Sequence, residues 1–442
     1  MESEKSQKSV RLLNLGCSKN QVDSENILGD FVSSGYVATN KKEADVVVIN
    51  TCGFIGPAKE ESINEILEAV SERTEGQKII VSGCLSQRYK EDLKKEIPEV
   101  DFFYGTYKSG EIAKDHVLEL KDKNECQVGP LSRIFLEEKP HHAYLKIAEG
   151  CNRVCGFCAI PGMRGKQDSR GIADIVQEAK ELQKKGIVEI SLIAQDLTFF
   201  GREKKSEENL ELLLRELVAQ TDIPWIRLMY GYPAYLDSGL LDYISKEPRI
   251  CNYLDMPIQH SSSTLLKTMK RGYTGEILEK IVKSIRTTNP ELTLRTTVLV
   301  GYPGETEADF QHLLKFIQEN PFERLGGFAY SEEEGTYAGD ELKKENIEES
   351  VIQERLSQLM AVQQEISYDL NQRQIGKELK VIIDSYAEED SEYSYIGRTE
   401  GDAPEIDNTV FIKGNEAVIG TFRTVKIENA WEFDLEGTLL PE

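Results

Sequence analysis

Eight cysteines are the residues of this sequence whose type and spacing could do chemistry. Three of them, Cys151, Cys155 and Cys158, form the pattern Cys-x3-Cys-x2-Cys and are called the loop cysteines below. Three close thiolates can hold a 4Fe–4S cluster and leave one iron open for a substrate or cofactor. Structural zinc normally takes four protein ligands, and no fourth Cys or His lies close to these three in the sequence. The spacing therefore favours a cluster, with zinc or incidental cysteines on a loop as the alternatives.

Three further cysteines, Cys17, Cys52 and Cys84, are distant in sequence but equivalent in position, and are called the strand-end cysteines. Each follows a short apolar run typical of a buried strand, and each has a glycine beside it that permits close backbone approach. The runs cover residues 10–15, 45–49 and 78–81. The carboxyl ends of parallel strands lie side by side, so the pattern predicts a second three-thiol site. Three buried small residues are the alternative, and Cys126 and Cys251 belong to neither set.

The elements that must position these cysteines fall into three segments of α/β and all-β character. Residues 9–120 alternate apolar strands with helices, which predicts a doubly wound parallel sheet. Residues 137–366 contain six more strand–helix units, which predict a complete or partial (β/α) barrel, with an open sheet as the alternative. Residues 372–441 change to short alternating strands, which predict a small five-stranded OB-like barrel. The loop cysteines follow the first barrel strand, on the face where barrel active sites lie.

Charge and composition restrict the class of partner. The 442 residues carry a formal net charge of −24, and residues 372–442 alone contain seven basic and sixteen acidic side chains. Phosphate repulsion disfavours a direct grip on nucleic acid, whereas a basic protein would be attracted. The acidity could instead serve solvation alone. No apolar run is long enough to cross a membrane, and the start has no signal-peptide pattern, so we expect a cytoplasmic protein.

Several motifs resemble one enzyme family over nearly the whole chain. CNRVCGFC resembles the cluster loop of radical S-adenosylmethionine (SAM) enzymes, the strand-end cysteines match the amino-terminal domain of methylthiotransferases, and the last segment resembles their TRAM domain. The chain is more similar to the branch acting on a ribosomal-protein aspartate (RimO type) than to the tRNA branch. The motifs that carry this distinction are IPGMRG (160–165), AQD (194–196), YLDMPIQHSS (253–262), DAPEID (402–407) and AWEFDLEG (430–437). Asp168 and Asn408 depart from the usual pattern.

The resemblance implies an activity and its cofactors. It implies two 4Fe–4S clusters and SAM, with the loop-cysteine cluster cleaving SAM to a 5′-deoxyadenosyl radical. That radical would take a hydrogen from the β-carbon of an aspartate in small-subunit ribosomal protein twelve. The strand-end cluster would hold or activate the inserted sulfur, and a second SAM would supply the methyl group. An electron donor such as a flavodoxin or ferredoxin is implied as a partner.

Residues near other strand ends are candidates for contacting SAM or substrate. The SAM candidates are Phe157, Gln195, Asp196, Gly301, Pro303, Gly304 and Glu305. Gln259 and His260 are candidates for facing the substrate. An ordinary tight turn at residues 301–305 and a structural role for His260 are the alternatives.

Three other functions stay open on the sequence. A tRNA-base methylthiotransferase differs from the main hypothesis in substrate alone. A non-catalytic iron–sulfur sensor would not cleave SAM. A zinc-stapled adaptor would be colourless and contain zinc without sulfide.

Overall fold

A computed structural model describes residues 7–116, 130–137, 140–204 and 207–441 of the chain. The first domain is a parallel sheet with strand order β2-β1-β3-β4-β5. Its elements are β1 (Ser9–Asn14), α1 (Ser18–Ser33), β2 (Val37–Ala38), β3 (Val46–Thr51), α2 (Gly56–Ser71), β4 (Lys78–Gly83), α3 (Cys84–Glu96), β5 (Phe102–Phe103) and α4 (Glu111–His116).

Apolar side chains on both faces of the central strands are buried beneath helices. Val46 and Val48 of β3 pack with α1 and α4, whereas Val47 and Ile49 pack with α2 and α3. Successive side chains of a strand point to opposite faces, so an unbroken apolar run such as 46–49 requires helices on both sides. The predicted doubly wound sheet is confirmed.

The second domain is a six-stranded parallel sheet with order β13-β12-β11-β10-β9-β6, covered by helices. It is not closed between β13 and β6, so the predicted barrel takes its partial form. The six strands are β6 (His142–Lys146), β9 (Glu189–Ile193), β10 (Trp225–Leu228), β11 (Ile250–Asp255), β12 (Thr293–Val300) and β13 (Arg324–Ala329), and β7 (Ala148–Glu149) and β8 (Asp168–Ser169) form a separate antiparallel pair. Its helices are α5 (Ile160–Arg164), α6 (Ile172–Lys184), α7 (Leu210–Gln220), α8 (Ser238–Lys246), α9 (Ser263–Thr268), α10 (Gly275–Thr288), α11 (Glu307–Glu319), α12 (Tyr337–Glu341) and α13 (Glu349–Gln372).

Residues 331–346 join the first two domains. The charged composition of this segment is typical of an exposed loop, but the segment contains α12, and Glu333 is buried. The Glu333 carboxylate pairs with Lys59 at 2.9 Å and with Arg88 at 2.7 Å, both from the first domain. The charged composition that suggested solvent exposure serves this interdomain contact instead.

The third domain is a closed five-stranded barrel with order β14-β15-β16-β18-β17, as predicted. Its strands are β14 (Glu378–Tyr386), β15 (Tyr395–Thr399), β16 (Val410–Lys413), β17 (Phe422–Ala430) and β18 (Leu435–Leu439). No helix in the described part of the chain is both long and apolar enough to cross a membrane.

The third domain packs into the open partial barrel through residues 398–407, called the plug segment below. Arg398 pairs at 2.9 Å with Glu189 of β9, which also accepts from Arg227 at 2.8 Å. Asp402 pairs with Arg324 at 2.6 Å. Some acidic side chains of this domain therefore pair with arginines inside the protein. The sequence suggested that the acidic charge either attracts a basic protein or serves solvation, and neither explanation predicted these internal ion pairs.

Candidate active site

The strand-end cysteines lie at one edge of the first sheet. Cys17 precedes α1, Cys52 directly follows β3, and Cys84 follows β4 as the first residue of α3. Because β1, β3 and β4 are neighbours in the sheet, their carboxyl ends bring the three thiols to one edge. Burial raises the pKa of Cys84 to about 11, so its thiol is neutral at physiological pH until a bound metal displaces the proton.

The loop cysteines lie between β7 and α5. Cys151 is buried and accepts a hydrogen bond from the Arg153 amide, with 3.3 Å between N and Sγ. Burial raises the pKa of Cys151 to about 11 and that of Cys158 to about 12. Cys251 is fully buried in an apolar cluster away from both sets, and Cys126 lies outside the described residues.

Both sets of cysteines line a single cavity of about 340 Å³ between the first two domains. Four of the sequence-predicted contact residues also line it. They are Phe157, Gln195, Asp196 and Gln259. The loop cysteines and the strand-end cysteines therefore face the same cavity. The sequence predicted two cysteine sites but not that they would share one cavity.

Gly301, Pro303, Gly304, Glu305 and His260 are not among the residues lining this cavity. The Glu305 carboxylate is fully buried, accepts from the Gly301 amide, and lies 3.6 Å from His260 Nε2. His260 is also fully buried, and its Nε2 and the Glu305 Oε1 have no hydrogen-bond partner among the described residues. Contact between these five residues and SAM or substrate stays a prediction.

Three arginines that the sequence reasoning missed complete the wall. Arg153 donates from Nε to Asp196 at 2.7 Å. Arg164 donates to the Cys84 sulfur at 3.2 Å, and the Arg271 guanidinium lies 3.5 Å from the Cys155 sulfur. Two of them had a signal in the sequence, since Arg153 lies between Cys151 and Cys155 and Arg164 is the fifth residue of the IPGMRG motif; Arg271 had none.

The donor set fits an anionic iron–sulfur cluster and a polar cofactor. Arg271 is 6 % exposed, yet no carboxylate of the described residues pairs with it. A buried charge needs a counter-charge, which a thiolate-bound cluster would supply. On the cavity wall, Gln195 Oε1 and Arg153 Nη2 are buried without a partner. The six cysteines line the cavity, but no three His, Cys, Asp or Glu side chains of the described part are already arranged to hold a metal ion, so the thiols would have to reorient on binding a cluster.

Two of the five non-glycine residues with positive φ in the described part of the chain lie at the same cavity. Tyr230 and Gln259 both line it and have φ of 63° and 70°, which bulky residues rarely adopt. The Tyr230 amide is held by the Asp255 carboxylate at 2.9 Å, and the Tyr230 ring contacts the Lys19 ammonium of the first domain. Such conformations persist where the surroundings over-determine them, commonly at ligand sites.

Substituting Gly16 should disturb cluster binding at the strand-end cysteines. A Cβ at Gly16 would lie 2.7 Å from the Cys52 Cβ and 3.0 Å from its sulfur, so Gly16→Ala must displace that ligand. We expect about tenfold weaker cluster binding, in the range seen when ligand support is lost, measured as iron content after reconstitution. Gly35→Ala is the matched control, because Gly35 has a similar φ of +99° but nothing within 4 Å. Equal iron loss in both variants would contradict the prediction.

Comparison with known proteins gives the family. Models match at residues 9–105 (uncharacterized protein family UPF0004), 145–317 (radical SAM superfamily) and 375–440 (TRAM domain). Similar curated proteins are named ribosomal protein uS12 methylthiotransferase RimO. The protein from Christiangramia forsetii is 44 % identical over 97 % of this chain and 93 % of its own length. That from Flavobacterium johnsoniae is 43 % identical over 97 % of each. This chain belongs to the RimO family.

Membership in the RimO family confirms the predicted class of enzyme, a radical SAM methylthiotransferase, and its cofactors, SAM and two 4Fe–4S clusters. A solved structure of the radical SAM methyltransferase TsrM from Kitasatospora setae has a TM-score of 0.56 at 15 % identity, covering 76 % of this chain and 78 % of its own. That similarity supports the fold alone.

Proposed function

We propose that this chain inserts a sulfur atom and a methyl group at the β-carbon of an aspartate in ribosomal protein uS12. The loop cysteines would hold the cluster that binds SAM, and the strand-end cysteines would hold the cluster that carries the sulfur. The observation that supports this most is the shared cavity of about 340 Å³, because a substrate carbon there can face both clusters.

The chain's own residues would bind, orient and shield the reactants. When bound, the clusters and SAM supply radical and sulfur chemistry that the side chains cannot perform. Gln195 would present its unpartnered Oε1 to a polar group of the ligand, while its Nε2 is fixed by Glu149 at 3.1 Å. Asp196 is held by Arg153, and Phe157 supplies an apolar surface in the cluster loop. Enclosure between two domains limits the access of water to a reactive intermediate.

The proposed partners follow from charge and from the reaction. A chain with net charge −24 would attract a basic ribosomal protein, as its relatives' name for their substrate suggests. Radical cleavage needs one electron at a time, for which a flavodoxin or ferredoxin is a suitable donor. Both partners would be met in the cytoplasm.

A substrate assay tests this function. The reconstituted, reduced chain is incubated with SAM and a sulfide source, and with either purified uS12 or total tRNA. We expect uS12 to exchange one hydrogen for a methylthio group at a single aspartate, with the corresponding gain in mass, and tRNA to show no such change. Modification of tRNA but not uS12 would favour the tRNA-base enzyme. SAM cleavage absent in all reactions would favour the non-catalytic sensor.

A further inference from the structure

Each cysteine set has one guanidinium directed at one of its sulfurs. Arg271 Nη1 lies 3.5 Å from the Cys155 sulfur, and Arg164 Nε lies 3.2 Å from the Cys84 sulfur. Both side chains are buried, at 6 % and 7 % exposure. Each arginine comes from the second domain, so the barrel supplies a cation to the thiols of the first domain as well as to its own.

Arg164 lies in a compensated environment. Its Nη1 contacts Asp23 at 3.1 Å and Glu149 at 2.8 Å, and its Nη2 donates to Asn20 at 2.5 Å. Lys146 is bonded to the same two carboxylates. The Asp23 and Glu149 carboxylates, which Lys146 also contacts, therefore fix the Arg164 guanidinium at the domain boundary. Its Nε donates to the Cys84 sulfur.

Arg271 is fixed by neutral groups instead. It donates to the Pro257 carbonyl at 2.7 Å and to the Tyr273 hydroxyl at 3.1 Å, and its guanidinium carbon lies 4.5 Å from the centre of the Tyr232 ring. No carboxylate of the described residues pairs with it. These neutral groups therefore set its orientation toward Cys155. Its positive charge has no protein counter-charge among the described residues and can pair with an anionic group bound to the loop cysteines.

Hydrogen bonds and positive charge at a cluster sulfur raise the reduction potential of the cluster. One-electron reduction adds one negative charge and breaks no bond, so a cation at the sulfur stabilises the reduced state more than the oxidised state. We propose that Arg271 and Arg164 are positioning residues that raise the potentials of the two clusters separately, Arg271 at the loop cysteines and Arg164 at the strand-end cysteines. The inference rests on the proposed assignment of one cluster to each cysteine set.

Separate control matters because the two clusters would share one cavity and the same solvent. A change in that common environment would move both potentials together. A hydrogen bond to a single sulfur acts locally, so each arginine changes the reduction potential of its own cluster more than that of the other cluster.

Redox titrations of single-cluster proteins test the inference. The full chain with Cys17, Cys52 and Cys84 changed to alanine keeps the loop-cysteine cluster, and the corresponding loop-cysteine variant keeps the other. Arg271→Gln and Arg164→Gln are placed in each background and titrated with dithionite, with electron paramagnetic resonance as the readout. We expect Arg271→Gln to lower the potential of the loop-cysteine cluster by enough to change its reduced-to-oxidised ratio about tenfold, or about 59 mV. Arg164→Gln should do the same for the strand-end cluster.

The two arginines are controls for one another. Each substitution should shift its own cluster more than the other cluster. Arg→Lys variants, which retain the charge but not the fork of donors, should shift the potentials less than Arg→Gln and serve where a glutamine variant does not fold. Potentials that do not move, or that move equally in both backgrounds, would overturn the inference. Parent single-cluster proteins without about four iron atoms would instead overturn the cluster assignment.

Discussion

Replacing Cys17, Cys52 and Cys84 together by alanine should abolish methylthio transfer while SAM cleavage continues. The strand-end cysteines line the cavity but lie on a different domain from the loop cysteines, which keep their own set of three thiols. Iron and sulfide should fall from about eight to about four of each per chain. The measurement combines metal analysis with chromatography of 5′-deoxyadenosine and mass spectrometry of uS12.

The matched variant changes Cys151, Cys155 and Cys158 to alanine. It should also retain about four iron atoms, but it should lose SAM cleavage as well as transfer. The two variants therefore have similar iron contents and different activities, so loss of folding cannot account for both. SAM cleavage persisting in the loop-cysteine variant would contradict the assignment of the radical chemistry to that set.

Changing Glu189 to alanine should destabilise the chain by about 3–5 kcal/mol, because it leaves two buried guanidinium groups without their shared carboxylate. Glu189 is fully buried and lies between Arg227 and Arg398, at 2.8 Å and 2.9 Å. Urea unfolding of the apoprotein, followed by tryptophan fluorescence, measures the loss. The Trp225 ring in β10 packs edge-to-face against Phe422 of the third domain, so its emission also reports separation of the two domains.

Glu211→Ala is the control, because Glu211 forms an exposed ion pair with Arg215 on α7. Such helical pairs contribute about 0.5 kcal/mol or less.

Burial alone would raise the pKa of Glu189, but Arg398 and Arg227 outweigh it and hold the pKa at about 2, below the ordinary value of 4.5. The stabilisation is therefore present above about pH 4.5 and lost as the pH falls toward 2. An equal loss of unfolding free energy in Glu189→Ala and Glu211→Ala would show that the buried group of Glu189, Arg227 and Arg398 stabilises the chain no more than an exposed ion pair does.

The sequence could predict the positions of the cysteines because strand order and strand ends determine them. Apolar runs locate β1, β3 and β4, and the parallel arrangement then requires Cys17, Cys52 and Cys84 to meet. The closed third-domain barrel was likewise predictable from its short alternating strands. These features depend on local pattern plus general rules of chain topology.

The arginines and the plug segment could not be predicted in the same way. Arg271 is separated from Cys155 by more than a hundred positions, and a guanidinium in a sequence is most often a solvated side chain. The contact of Arg398 with Glu189 depends on how two domains dock, about which periodicity carries no information. Glu333 shows the same limit, because charged residues at an interdomain contact have the composition of a surface loop.

The contacts that residues 398–407 make with β9, β10 and β13 change how a shortened gene should be interpreted. A stop codon ahead of residue 372 would remove Arg398 and Asp402 and expose Glu189, Arg227 and Arg324 to water. The remaining polypeptide would lack part of its interior as well as the third domain itself. A mutant phenotype from such a truncation would therefore reflect a damaged catalytic domain, and the role of the third domain is better examined with substitutions on its outer face.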